Sequence, residues 1–265
     1  MKVLITAGGT TEKIDNVRSI SNSSTGRLGT AIAEAFINSR NVQLEELIYL
    51  CGQTAAVPQS DKAHIIRIGG VSELYSQIEN ILTTKNIDVV IHSMAVSDYT
   101  VGSVTTKSAV SNAISNFLEN ESIKNIPDMA ELSQRVTNAA FDNVDEMTSR
   151  KNKISSDLED LIIVMKKTPK VISIIKKLRP ETILVGFKLL SGVDFDTLFN
   201  VGYNLLKKNN CDLVLANDLF QITNDRHTGY LISADKTYAK CESRQEIAGA
   251  IIEKVIELWK GNKKQ

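Results

Sequence analysis

Short apolar runs separated by helix-period stripes are the feature that narrows the fold of this chain most sharply. Lys2–Thr6 (KVLIT), Glu46–Leu50 (ELIYL), His64–Ile68 (HIIRI), Asp88–His92 (DVVIH), Leu161–Met165 (LIIVM), Thr182–Phe187 (TILVGF) and Asp212–Ala216 (DLVLA) all read as strands. Val, Ile and Leu fill them with little polar alternation, as in strands buried on both faces of a parallel sheet. Between them lie helical stripes: Leu28/Ile32/Ala35/Phe36, Leu74/Ile78/Ile81/Leu82, Val171/Ile174/Ile175/Leu178 and Leu198/Val201/Leu205/Leu206. Tyr230–Ser233 and Thr237–Cys241 flank Ala234-Asp235-Lys236 as a hairpin, and a last helix covers Arg244–Trp259. The pattern predicts an α/β, Rossmann-like fold: a mostly parallel sheet with helices on both faces and a C-terminal β-hairpin.

One stretch breaks the rhythm. From about 102 to 152 the chain is rich in Ser, Asn, Thr and Glu, with weak helical patterning at Ala113–Leu118 and Met129–Val136. A structureless loop that long is uncommon in a compact domain, so an inserted flap of two short helices is expected within a single domain over 1–265.

Composition excludes several functions. Lys plus Arg and Asp plus Glu are both 31, so nothing favours a nucleic-acid binder. No stretch approaches the roughly 20 apolar residues of a membrane helix, and no signal-peptide core follows Met1. A cytoplasmic protein is expected. Cys51, Cys211 and Cys241 are odd in number and far apart, which predicts small buried hydrophobes rather than disulfides. His64, His92 and His227 show no metal-ligand spacing, so metal ligands are not identified.

The chemistry concentrates where strands end. Gly8-Gly9 follows the first strand, where glycine lets backbone approach a ligand. The run Arg18 to Gly29 (RSISNSSTGRLG) places Asn22, Ser23, Ser24, Thr25 and Gly26 just before a helix, which suits a phosphate or carboxylate. An ordinary N-cap in a polar loop would also use Ser or Thr, although one cap does not need the whole run. Ala95 and Asp98 lie in SMAVSDY after the DVVIH strand; Asp98 suits a ribose hydroxyl, a magnesium ion or a turn cap. Lys153 in KISS reads alone as part of a solvated basic face. Lys166, Lys167, Thr168 and Pro169, then Phe187 in VGFK, Lys207-Lys208 and the LAND segment combine cations with an aromatic face, as a nucleotide site would.

The blocks ITAGGTTEKIDNVRSISNSSTGRLG, AVSDY, KIS, MKKTPK, VGFK and LAND, in this order, resemble the phosphopantothenate–cysteine ligases, over about 3–102 and 150–259. The insertion falls outside those motifs. The chain looks like the stand-alone form, without a preceding flavin-dependent decarboxylase domain. The resemblance implies joining 4′-phosphopantothenate to L-cysteine in coenzyme A biosynthesis. A nucleoside triphosphate with Mg²⁺ would activate the carboxylate as an acyl-nucleotidyl anhydride, releasing pyrophosphate. CTP is the expected nucleotide. The KI-x-S pattern, with Ser155-Ser156 where a bacterial KIKK would continue, leans towards forms that use ATP, which stays the alternative. Carried over by motif, Asn22 orients the acyl intermediate, Arg18 matches the family arginine, and Lys153 on a flap stabilises charge. Gly8, Gly9, Ser23, Ser24, Thr25, Gly26, Ala95, Asp98, the 166–169 turn, Phe187, Lys207 and Lys208 are the expected nucleotide contacts. A homodimer is implied.

Two other readings stay open at this level. A nicotinamide-dependent reductase shares the Gly-rich turn, but Gly52-Gln53 stands where an acidic ribose ligand is expected, and four residues after Tyr99 stands Ser103, not the lysine of a Tyr-x-x-x-Lys pair. A non-catalytic nucleotide-binding module would bind nucleotide without releasing pyrophosphate.

Overall fold

A computed structural model describes residues 1–120, 128–141, 154–155, 158, 160–223 and 226–262. In chain order the elements are β1 (Lys2–Ala7), β2 (Thr11–Lys13), β3 (Ser19–Ser21), α1 (Arg27–Asn38), β4 (Glu46–Gly52), β5 (Ala63–Ile68), α2 (Val71–Thr84) and β6 (Val89–His92). Then come β7 (Tyr99–Thr106), α3 (Lys107–Asn120), α4 (Met129–Phe141), β8 (Leu161–Lys167), α5 (Ile172–Leu178) and β9 (Ile183–Leu190). The chain closes with α6 (Phe195–Asn209), β10 (Leu213–Asp218), β11 (Gly229–Ser233), β12 (Tyr238–Cys241) and α7 (Arg244–Asn262).

Contacts divide the chain into two units. The first comprises residues 1–11, 21–97 and 169–265. It holds an eight-stranded sheet in the order β12-β11-β10-β9-β6-β1-β4-β5. The strands from β5 to β10 pair in parallel, and β11 and β12 add antiparallel at one edge. Successive β1 residues serve opposite faces, as a strand's two-residue period requires. Val3 and Ile5 join Ile32, Phe36, Ile247 and Ile251 of α1 and α7. Leu4 joins Leu74, Ile78, Ile174 and Leu206 of α2, α5 and α6. That two-sided burial explains the unbroken apolar runs and the parallel sheet they predict. From β1 the chain moves outwards through α1 to β4, whereas β6 and β9 lie on β1's other side. The gap beyond the ends of β1 and β6 is therefore the topological switch point, where α/β sheets bind ligands. No described helix is long and apolar enough to cross a membrane.

The second unit, residues 12–20 and 98–168, contains α3, α4 and an antiparallel pair of β7 with β8. Two sequence expectations change here. Leu161–Met165 is a strand, but it pairs with β7 outside the large sheet, and Leu161 is 40% exposed. An apolar run does not tell a central strand from one half-buried in a small sheet. Residues 102–106 also belong to β7, whose β-branched alternation (TVGSVTT) is strand chemistry despite its polarity. The two expected helices are present as α3 and α4, each longer than its patterned core. Val101, Val104 and Ile154 form this unit's core, with Ile14, Ile163 and Met165 packed against them.

Candidate functional site

The backbone after β1 is held open by glycine. Gly8 has φ of +80°, and a Cβ there would lie 2.5 Å from Ala55 Cβ. A Cβ on Gly9 would meet the Asn22 carbonyl oxygen at 2.3 Å. This turn is stitched to the residues after β6. Ala95 N–H donates to Gly8 O at 2.8 Å, Thr10 N–H to Ala95 O at 3.1 Å, and Asn22 Nδ2 to Ala95 O at 3.1 Å. Gly9, Asn22 and Ala95 thus meet at the switch point.

Helix α1 begins there without a side-chain cap. Gly26 (φ +75°) is the capping residue, no side chain caps the leading N–H groups, and the first turn holds no acidic residue. Its leading N–H groups are left for another acceptor, which is the arrangement that binds phosphate. The side-chain cap that a polar loop would ordinarily supply is therefore absent. The buried Tyr49 phenol backs this start: its oxygen lies 3.1 Å from Thr30 Oγ1 and from Ala56 O, and 3.4 Å from Gly26 O. Burial pushes that phenol up to about 12. Tyr49→Phe is expected to lower stability by about 1–2 kcal/mol, read from urea unfolding, because Ala56 O loses a buried donor.

Beyond these residues lies a cavity of about 710 Å³, lined by Gly8, Ser23 to Gly29, Ser93 to Ala95, Phe187, Leu189, Asn217, Leu219, Ile222, Thr223, His227 and Arg244. Arg27 and Arg244 are its charged lining residues; among the described residues no Asp or Glu lines it. Neighbouring strands are spaced by about 4.8 Å, so the steps from β1 through β6 and β9 to β10 span roughly 14 Å along the sheet edge. A ligand can therefore lie with an anionic end at α1 and a flat, less polar end against Phe187 and Asn217.

Several flanking groups hold that far end. Asp218, buried at the end of β10, accepts from Val193 N–H at 2.9 Å and Phe220 N–H at 2.8 Å. The Val193 bond, ahead of the opposing effect of burial, keeps its carboxyl below the usual range. Asn217 Nδ2 lies 3.1 Å from His227 Nε2. Burial, then the nearby Arg244 charge, depresses His227 to about 4.

Gly8, Ser23, Ser24, Thr25, Gly26, Ala95 and Phe187 are thus brought together as expected, with Gly9 and Asn22 immediately behind them. Lys207 and Lys208 are not. They sit exposed in the last turn of α6, which leads into the opposite end of β10, where they complement the helix dipole. Residues just before a parallel strand lie at the far edge from its carboxyl end, so topology keeps them from the cavity. Asp98, Lys166, Lys167 and Thr168 belong to the second unit, where Thr168 N–H donates to Asp98 O at 3.0 Å. Pro169 begins the following segment of the first unit. Arg18 is also in the second unit. Its guanidinium lies 3.5 Å from buried Asp15, whose carboxylate further accepts from the N–H groups of Val17, Arg18 and Ile154. Lys153 lies outside the described residues. Sequence reading missed His227 and Arg244, which no spacing marks, and quoted Asn217 in LAND without giving it a role.

The residues match a known family model along nearly their whole length. The model for the DNA/pantothenate metabolism flavoprotein C-terminal domain covers residues 1–131 and 120–258. The chain belongs to that family. The stretch over 102–152, outside the motifs read from sequence, falls within the match. A crystal structure of the DNA/pantothenate metabolism flavoprotein from Streptococcus pneumoniae is 32% identical, with a TM-score of 0.73, and covers 96% of this chain and 98% of that one. The coenzyme A biosynthesis bifunctional protein CoaBC of Methanocaldococcus jannaschii is 29% identical over 98% of this chain and 51% of its own length. The chain spans about half the length of such curated relatives. A Cab2 mutant in complex with phosphopantothenate-cysteine shares the fold, with a TM-score of 0.67 at 18% identity over 99% of this chain and 88% of that one.

Proposed function

We propose that this chain is a phosphopantothenate–cysteine ligase, joining 4′-phosphopantothenate to L-cysteine at the expense of a nucleoside triphosphate. The observation that carries the reading is the cavity at the switch point, with an uncapped helix start at one end and Phe187 towards the other, in a member of this family. The substrate carboxylate attacks the α-phosphorus of CTP, with ATP as the alternative, and pyrophosphate leaves. The cysteine amine then attacks the acyl carbon and expels the nucleoside monophosphate. The leading N–H groups of α1, with Ser23, Ser24 and Thr25 around them, hold phosphate oxygens by fixed dipoles. Asn22, anchored to Ala95 O, orients the acyl group for the second step.

Among the described residues no three His, Cys, Asp or Glu side chains converge as a metal site. The donors at α1 are N–H and hydroxyl groups, which fit phosphate oxygens; Mg²⁺ carried on the triphosphate would neutralise its charge. Roles for Arg18, Asp98, Lys153 and the 166–169 turn follow the motif resemblance, as does a homodimer, which sedimentation at micromolar concentration tests.

The deciding experiment is pyrophosphate release with phosphopantothenate and Mg²⁺, comparing CTP with ATP, each with and without cysteine. Release that requires phosphopantothenate, together with a cysteine adduct by mass spectrometry, is the expected result. Nucleotide binding without release would leave a binding module instead.

A further inference from the structure

We infer that His227 fixes the amide of Asn217 so that the cavity selects a base bearing an exocyclic amine, cytosine or adenine, over one bearing a carbonyl there, uracil or guanine. The inference rests on the reading of this cavity as a nucleotide site and adds to it the feature of the base that is read.

Asn217 is the penultimate residue of the buried strand β10, is 6% exposed and lines the cavity. A primary amide presents a donor on one prong and an acceptor on the other, so whichever prong is held inside the protein decides what the other offers a ligand. Here Nδ2 is the prong held, 3.1 Å from Nε2 of the buried His227. A neutral imidazole can accept there, its proton lying on Nδ1, which has no partner among the described residues. Burial beside Arg244 keeps the ring neutral at ordinary pH. Oδ1 is then the free prong. No donor among the described residues bonds it, and it is not among the side-chain atoms sealed from solvent without a partner. It therefore opens onto the cavity that Asn217 lines.

The position of this acceptor names what it meets. Three strand steps, roughly 14 Å, separate β10 from β1, whose following turn abuts the start of α1. A nucleoside triphosphate with its phosphates at α1 brings its base, not its ribose, to that distance, with Phe187 on the intervening strand β9 as the aromatic face. An exocyclic amine donates to Oδ1. A carbonyl in the same place sets two acceptors against each other in a half-dry site, and such a mismatch is rejected far more strongly than a missing methylene. His227 touches no ligand in this scheme; it is a positioning residue.

The test is calorimetric titration of the full chain with Mg²⁺ and CTP, UTP or the 2-pyrimidinone ribonucleoside triphosphate, which lacks the exocyclic group, and with ATP against GTP. CTP is expected to bind at least ~10-fold more tightly than UTP, with the 2-pyrimidinone between them and ATP ahead of GTP. In His227→Phe the amide is free to turn, and the CTP-to-UTP preference should fall to within about threefold while CTP still binds. If that variant does not fold, the wild-type series decides alone. Equal binding of CTP and UTP, a preference for UTP, or an unchanged ratio in folded His227→Phe overturns the inference and leaves the nucleotide reading standing. Binding of none of these nucleotides ends that reading and this inference with it.

Discussion

Gly9→Ala is expected to lower turnover at least ~100-fold in a chain that still folds, because displacements near 1 Å at a reacting centre have effects of that size. The added Cβ would lie 2.3 Å from the Asn22 carbonyl oxygen and 3.2 Å from its carbon. Both are backbone atoms, so no rotamer change relieves the clash. Nor can Asn22 move freely. Its N–H donates to Thr10 O at 3.3 Å and its side chain to Ala95 O at 3.1 Å, so a shift breaks the stitching between the ends of β1 and β6. Gly249→Ala is the matched control. Nothing lies within 4 Å of the Cβ it adds, and it sits inside α7, where alanine should add roughly 0.5–1 kcal/mol of stability. Pyrophosphate release and urea unfolding on both variants check the pair. Gly9→Ala within threefold of wild type would mean the turn does not set the position of Asn22.

Stability is expected to fall by about 3 kcal/mol between pH 6.5 and pH 4 from His92 alone. His92 ends β6 fully enclosed in the sheet, and burial depresses it from 6.5 to about 4. Its Nδ1 lies 3.0 Å from Thr6 Oγ1, which also accepts from Met94 N–H at 3.3 Å. The ring therefore stays largely neutral in the folded chain until the pH nears 4, while the unfolded chain takes up the proton from about 6.5 downwards. The unfolded state binds more protons there, so stability is fully present above 6.5 and declines as pH falls towards 4. Each pH unit crossed removes up to about 1.4 kcal/mol per histidine. His227, depressed to about 4 as well, acts in the same direction. Urea midpoints from pH 7 to pH 4 should accordingly show a slope that roughly halves in His92→Gln. An unchanged slope would mean that His92 is protonated in the folded state.

Much of the first unit is legible in the chain because its strands are buried on both faces. The KVLIT, ELIYL, DVVIH, TILVGF and DLVLA runs carry no polar alternation, and each is a strand of the large sheet. The stripes between them become α1, α2, α5 and α6 for the same reason: each has one apolar face to bury. The Gly-Gly turn and the glycine that opens α1 are legible because close backbone approach and left-handed backbone demand glycine. Gly8 and Gly26 at positive φ meet that demand directly.

Where one-dimensional pattern is shared by two environments, it does not separate them. LIIVM is as apolar as DLVLA, yet it forms β8 beside β7 in the second unit, because pairing partners are chosen by contacts distant in sequence. Lys207-Lys208 looks like a phosphate site until α6 is seen to deliver it to the opposite edge of β10. His227 carries no local signature at all. It matters only because the turn after β10 folds back and brings its Nε2 to Asn217, ten residues away in the chain. By itself, then, the sequence determined the layers, the strand-end chemistry and the family, since these follow from periodicity and from residue types that specific backbone geometries require. Only the tertiary structure decided which cations face the cavity, which strand leaves the large sheet and which prong of Asn217 is free. Those are settled by packing and hydrogen bonds between segments far apart in the chain, which no local pattern encodes.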